Sequence, residues 1–164
     1  MANVTQFIPL SFIEVDDTPS TLILNLQGGS LLGDAPPYEA FSLGESGSVR
    51  GYTGGDAASA QTFLQGTVEY RAPFALIRWG DGFVGSLLGE STLLAVSIFF
   101  DYATGFGTQT FVIGEPGVVR GKPGDGFGGG IGLLATSNLG LFRFELGFND
   151  QSDAVFYFNI GDRF

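Results

Sequence analysis

Cysteine and histidine are absent from this chain, and lysine occurs once in 164 residues. Without Cys there is no disulfide framework and no thiolate chemistry. Without His the commonest metal ligand and general base is missing. The expectation is a protein that is not an enzyme, with no catalytic residue, no metal and no cofactor. Cations are scarce as a class: seven Lys and Arg face 17 Asp and Glu, for a net charge of −10. Nucleic-acid binding needs clustered positive charge, so that partner is excluded. No run of about 18 apolar residues occurs, which excludes a transmembrane helix. Met1-Ala-Asn-Val-Thr5 has no basic start and no apolar stretch follows it, so no signal peptide is visible.

What is abundant is glycine, at 27 residues, and phenylalanine, at 17. This pairing suits closely packed, tilted strands. It suits a helical core poorly, because each interior Gly costs about 1 kcal/mol in a helix, and no helix is expected. Seven strands are legible: Val4–Glu14, Thr21–Gly29, Gln61–Arg71, Ser91–Tyr102, Gly126–Thr136, Leu141–Phe148 and Ala154–Phe164. Pro9 interrupts the first and puts its pairing in doubt. Ala72–Glu90 is less regular and holds the only Trp, Trp79. Long loops are expected at about 32–60 and 103–124.

In the last strand Phe156, Phe158, Ile160 and Phe164 fall at alternate positions, against Tyr157, Asn159, Gly161 and Arg163. Apolar-out, polar-in alternation of this kind suits a strand between lipid and a wet lumen. The alternative is the last strand of a soluble β-domain. The same alternation sends Leu22, Leu24, Val96, Ile98, Phe142 and Phe144 outward. Gly126, Gly128, Gly130 and Gly132 share the inward face of their strand, which leaves room for something to pack directly on backbone.

The inward faces carry few charges, and buried carboxylates need a cationic partner. Arg50 lies in Gly47-Ser-Val-Arg-Gly-Tyr52, a glycine-flanked loop able to fold back sharply. An Arg can reach carboxylates with a bidentate fork. We expect Arg50 to point inward and meet Asp101 and Glu69, with the Phe99 ring beneath it. The blander reading is a solvated Arg on a surface loop. Two carboxylates around one Arg would leave the cluster net negative. A glycosidase-like carboxylate pair is discounted for want of any sugar platform. Val119-Arg-Gly-Lys-Pro-Gly124 lacks the spacing of a phosphate-binding loop.

The chain resembles the C-terminal barrel half of the BamA superfamily, of the cyanobacterial and chloroplast outer-envelope type. The matching pieces are Gln6-Phe-Ile-Pro-Leu10, Pro36-Pro-Tyr-Glu-Ala-Phe41, Gly47-Ser-Val-Arg-Gly-Tyr52, Val68-Glu-Tyr-Arg-Ala-Pro73, Ile98-Phe-Phe-Asp101, Val119–Gly124 and Phe158-Asn-Ile-Gly-Asp-Arg-Phe164. They run in the family's order over nearly the whole chain. The resemblance implies an all-β, antiparallel transmembrane barrel or part-barrel of about seven to eight strands. A long loop would fold inward through Val49, Arg50, Gly51 and Tyr52 onto Asp101, Glu69 and Phe99. Phe156, Phe158, Ile160, Gly161 and Phe164 would form a C-terminal assembly signal. It implies an outer membrane, bacterial or plastid, as the location, and insertion or translocation of proteins through a lateral seam as the function. A passive small barrel or pore, or a non-functional fragment of a longer assembly protein, is the alternative. Expected partners are the lipid bilayer, unfolded outer-membrane clients, the missing N-terminal barrel half, or a second copy. Residues 1–164 would be one C-terminal β-barrel domain, with no counterpart of the family's POTRA domains.

Overall fold

Alternating apolar and polar residues build one open antiparallel sheet of seven strands, seen in a computed structural model that describes residues 1–33, 37–80, 82–106 and 122–164. The strands of this sheet are β1 (Ala2–Val15), β2 (Thr18–Ser30), β5 (Thr62–Arg78), β6 (Ser91–Phe106), β7 (Asp125–Ser137), β8 (Gly140–Asn149) and β9 (Ala154–Ile160). Each pairs with the next in chain order. Among the described residues β1 and β9 each have one neighbour, so the part-barrel has two open edges. Every pairing is antiparallel. With seven strands, the two edges therefore run in the same direction.

Burial follows the alternation. On β5, Phe63, Gln65, Thr67 and Glu69 are buried while Leu64 and Val68 are exposed. On β6, Ser97, Phe99 and Asp101 are buried while Val96, Ile98 and Phe100 are exposed. The exposed set extends to Leu24, Phe144, Phe156 and Phe158, an apolar outer belt that suits lipid rather than water. Among the described residues, no helix is long and apolar enough to cross a membrane.

The concave face is covered by the chain between β2 and β5. A short hairpin, β3 (Phe41–Leu43) with β4 (Ala58–Ala60), brackets the segment 44–57. Leu43, Val49, Tyr52, Ala57 and Ala58 pack there against Phe63 of β5 and Ala103 of β6. This small core holds the loop on the sheet.

Four details differ from the sequence reading. Pro9 does pair, opposite Thr21, and the irregularity falls between Leu10 and Glu14. An edge strand tolerates Pro because one side of its ladder is unused. β5 continues through Ala72 to Arg78, with a register shift between Pro73 and Ala75. A short helix, α1 (Phe83–Leu88), forms where none was expected. It is closed by Gly89 N–H donating to the Gly85 carbonyl and pinned by Asn138 N–H donating to the Leu88 carbonyl. The last strand stops at Ile160, because Gly161 adopts φ +105 and breaks the alternation. Phe164 thus leaves the face of Phe156, Phe158 and Ile160. Its ring lies 5.7 Å from the Arg71 guanidinium and 5.5 Å from that of Arg163. Of the matched pieces, Pro36 and residues 119–121 lie outside the described residues.

Candidate functional site

Arg50 is 0% exposed at the centre of the concave face. Its Nε and Nη2 donate to Asp101 Oδ2 and Oδ1 at 2.7 and 3.0 Å, a bidentate fork. Its backbone N–H donates to Asp101 Oδ2 at 3.1 Å. Nη1 donates to Glu69 Oε2 at 2.7 Å and to Glu145 Oε1 at 2.6 Å. The guanidinium carbon sits 3.4 Å from the Phe99 ring centroid. The structure thus brings Arg50, Asp101, Glu69 and Phe99 together, and it adds Glu145. One side chain grips three strands, β5, β6 and β8. Burial alone would lower the Arg50 pKa, but Asp101, Glu69 and Glu145 outweigh it and hold the guanidinium above its ordinary value.

The expected net negative cluster is corrected by the neighbours. Arg163 Nη1 lies 3.1 Å from Asp101 Oδ1, and Arg71 Nε lies 2.7 Å from Glu69 Oε1. Arg71 also meets Asp162 at 2.9 Å, and Arg143 lies 3.8 Å from Glu145. Arg50, Arg71, Arg143 and Arg163 therefore balance Glu69, Asp101, Glu145 and Asp162 in one connected network. Thr67 Oγ1 donates to Asp101 Oδ1 at 2.8 Å. Charge balance is what buried ions require, although the Arg143–Glu145 pair is too long for a hydrogen bond and leaves Arg143 Nε and Nη1 and Glu145 Oε2 without one. The pattern that finds Glu69 and Asp101 also puts Glu145 and Arg163 on inward faces, and that was the available signal for both.

Glycine shapes the docking. Gly51 has φ +105, and a Cβ there would stand 2.6 Å from the Phe148 carbonyl carbon of β8. On β7, a Cβ on Gly126 would stand 2.7 Å from Tyr52 Oη and one on Gly130 would stand 2.6 Å from Phe99 Cζ. The inward glycines are the floor on which the loop and Phe99 lie. Val49 is wholly buried in the small core under the loop.

The C-terminal end reaches the same loop. Gly51 N–H donates to Tyr157 Oη at 2.9 Å, and Tyr157 donates to the Tyr52 carbonyl at 2.5 Å. Arg163 Nη2 donates to the Ser48 carbonyl, and Tyr52 Oη donates to Asp150 in the β8–β9 turn. Burial first, and the Asp150 carboxylate second, push the Tyr52 phenol above its ordinary pKa. Phe156, Phe158 and Ile160 face outward and are exposed. Among the described residues no group of His, Cys, Asp or Glu is placed to hold a metal ion. The arrangement is a mechanical tie between a loop, three walls and an open edge.

Comparison with known proteins places the chain in a family. The Omp85 superfamily domain matches residues 1–164. Outer envelope protein 80, chloroplastic, of Arabidopsis thaliana is 36% identical over 145 residues, covering 88% of this chain and 18% of that protein. Outer envelope protein 39, chloroplastic, of the same plant is 34% identical over 142 residues, covering 87% of this chain and 35% of that protein. Protein TOC75, chloroplastic, of Pisum sativum is 33% identical over 166 residues, covering 98% of this chain and 18% of that protein. The chain thus spans 18 to 35% of the length of these curated relatives. With its exposed apolar belt and all-antiparallel part-barrel, the chain belongs to the Omp85 superfamily of outer-membrane proteins.

Proposed function

We propose that residues 1–164 form the C-terminal β-barrel domain of a protein-insertion or protein-translocation machine in an outer membrane. The observation that carries this reading is the wholly buried Arg50, tied at once to Glu69, Asp101 and Glu145. A passive pore gains nothing from a loop that fills its concave face. A machine whose edge must yield to a client strand needs the rest of its wall held in register. The loop supplies that rigidity. Tyr157 and Arg163 link the same loop to the β9 edge, where a client would add a strand by main-chain pairing. The exposed Phe156, Phe158 and Ile160, with Gly161 and Phe164, serve as the signal read when the domain is itself assembled.

The open edges set a rule for the completing partner. A bilayer does not tolerate unpaired strand edges. The two edges run in the same direction, so a second copy inserted in the same orientation would make parallel seams. Antiparallel closure needs a partner sheet with an odd number of strands, both of whose edges run the other way. An N-terminal barrel half with an odd number of strands would meet this rule, and self-association in one orientation does not.

The test is reconstitution into liposomes with an unfolded outer-membrane barrel as client. Client strands should become protease-protected faster than in empty liposomes, and Arg50→Ala should remove the gain. Ion conductance without any client insertion would identify a passive pore instead.

A further inference from the structure

The connection between β5 and β6 is longer than a strand turn requires, and among its described residues Phe83, Val84 and Leu87 leave apolar side chains exposed. Helix α1 reads Phe-Val-Gly-Ser-Leu-Leu and carries no charge. Phe83 is 83% exposed, Val84 43% and Leu87 47%, and no residue of the helix is buried. Val84 and Leu87 are three apart, and Phe83 and Leu87 four apart, so all three share a helical face. The helix is nevertheless firmly placed. Trp79 N–H donates to the Glu90 carbonyl at 2.9 Å, closing the connection at its neck, and Asn138 N–H holds Leu88 at 3.0 Å. A Cβ on Gly89 would stand 2.5 Å from the Asn138 side chain, so helix and β7–β8 turn are in contact.

Its location is given by the topology. It lies at the end of the sheet that carries the short turns, between Val15 and Thr18 and between Ser137 and Gly140. Its orientation follows from Trp79, whose indole N–H donates to Thr92 Oγ1 at 2.8 Å. Thr92 is in period with Leu94, Val96 and Ile98 of the outward face, and at 6% exposed it is covered there. Trp79 therefore lies on the lipid side. The apolar belt is continuous towards it through Phe74 and Ile77, both exposed. Aromatic side chains concentrate where a barrel meets the headgroup layer.

We propose that Trp79 and α1 form an interfacial anchor. The helix lies in the headgroup layer of the leaflet at the short-turn end, and Phe83, Val84 and Leu87 reach into the acyl boundary. The occupant of the exposed face is lipid. This rests on the membrane-spanning reading of the sheet, and the experiment separates the two.

Trp79 is the only tryptophan, so its emission reports one place. The full chain is refolded into phosphatidylcholine vesicles whose acyl chains carry bromine either just below the headgroup or near the chain end. The expected result is a large loss of Trp79 emission with the shallow bromine, a smaller loss with the deep one, and little loss with aqueous acrylamide. A second protein, Trp79→Phe with Ile98→Trp, reports the outer face of the strand and should be quenched more by the deep bromine. If the Ile98→Trp reporter is quenched by bromine while Trp79 responds only to acrylamide, the anchor is wrong, the membrane reading stands, and the face is left for a protein partner. If bromine reaches neither reporter, both ideas fall. Phe83→Ser with Leu87→Ser should convert Trp79 from bromine-quenched to acrylamide-quenched and leave the Ile98→Trp signal unchanged; no change in Trp79 would also overturn the proposal.

Discussion

Gly128 of β7 lies directly beneath the Arg50 carbonyl: a Cβ on Gly128 would stand 1.8 Å from that oxygen. Backbone packs on backbone there, and no side chain fits. Gly128→Ala should therefore lift the loop from the sheet, at a cost of about 3 kcal/mol typical of overpacking. The adjacent Gly129 is the control. Its Cβ would meet the Phe99 carbonyl oxygen at 3.4 Å and Phe100 Cδ2 at 3.9 Å, both ordinary contacts. Gly129→Ala should change stability by no more than about 0.5 kcal/mol. Urea unfolding of the two variants in detergent micelles gives the comparison.

The outward set should meet lipid. Spin labels at Leu24, Val96, Ile98, Phe144, Phe156 and Phe158 should be accessible to lipid-soluble oxygen. Labels at Asn25, Ser97 and Tyr157 should be shielded, since those side chains lie on the concave face, Asn25 against β1 and Tyr157 against the loop. Reversed accessibility would invert the sheet.

The tyrosine of the loop sets an alkaline limit. Its folded-state pKa is raised. A raised pKa means that its contribution to stability is complete below the ordinary tyrosine value of about 10 and is lost as pH rises through the folded value. Arginines do not titrate in that range, so the surrounding network keeps its charge. Tyr52→Phe should remove one step above the ordinary tyrosine value from the tyrosinate absorbance titration. It should also abolish the alkaline loosening of the loop. Loss of a step at the ordinary tyrosine value of about 10 instead would mean that Tyr52 is free in solution.

Phe164 should matter more for assembly than for the folded state. Its ring lies beside Arg71 and Arg163, and one terminal ring contributes only about 1–2 kcal/mol by area. Deleting it should reduce membrane insertion in cells far more than it reduces stability after refolding in detergent. Equal losses in both measurements would remove the assembly role.

The seven strands of the sheet were legible because one face of each meets lipid and the other a polar interior, so period-two alternation is strong. Helix α1 was not. Six residues with glycines on both sides give no helical period, and it stands on contacts with Asn138 and the Trp79 neck that only the fold creates. The end of β9 was misread for a related reason. Alternation ran on through Phe164 on paper, whereas the positive φ of Gly161 turns the last residues toward Arg71 and Arg163. Charge balance could not be read from spacing either. Arg50 with Asp101 and Glu69 looks net negative until Arg71, Arg143 and Arg163 arrive from three other parts of the chain.

The central claim is that a buried network through Arg50 and Asp101 holds the loop to the barrel wall. A double-mutant cycle on unfolding free energy tests it most directly. Removing one partner of a buried pair typically costs about 3–5 kcal/mol, against at most about 1 for an exposed pair. Arg50→Ala and Asp101→Ala should each cost in the former range, and the double variant should cost less than their sum by at least about 1 kcal/mol. Simple additivity, with each single change costing under about 1 kcal/mol, would mean that the two side chains do not hold each other and that the loop is an ordinary surface loop.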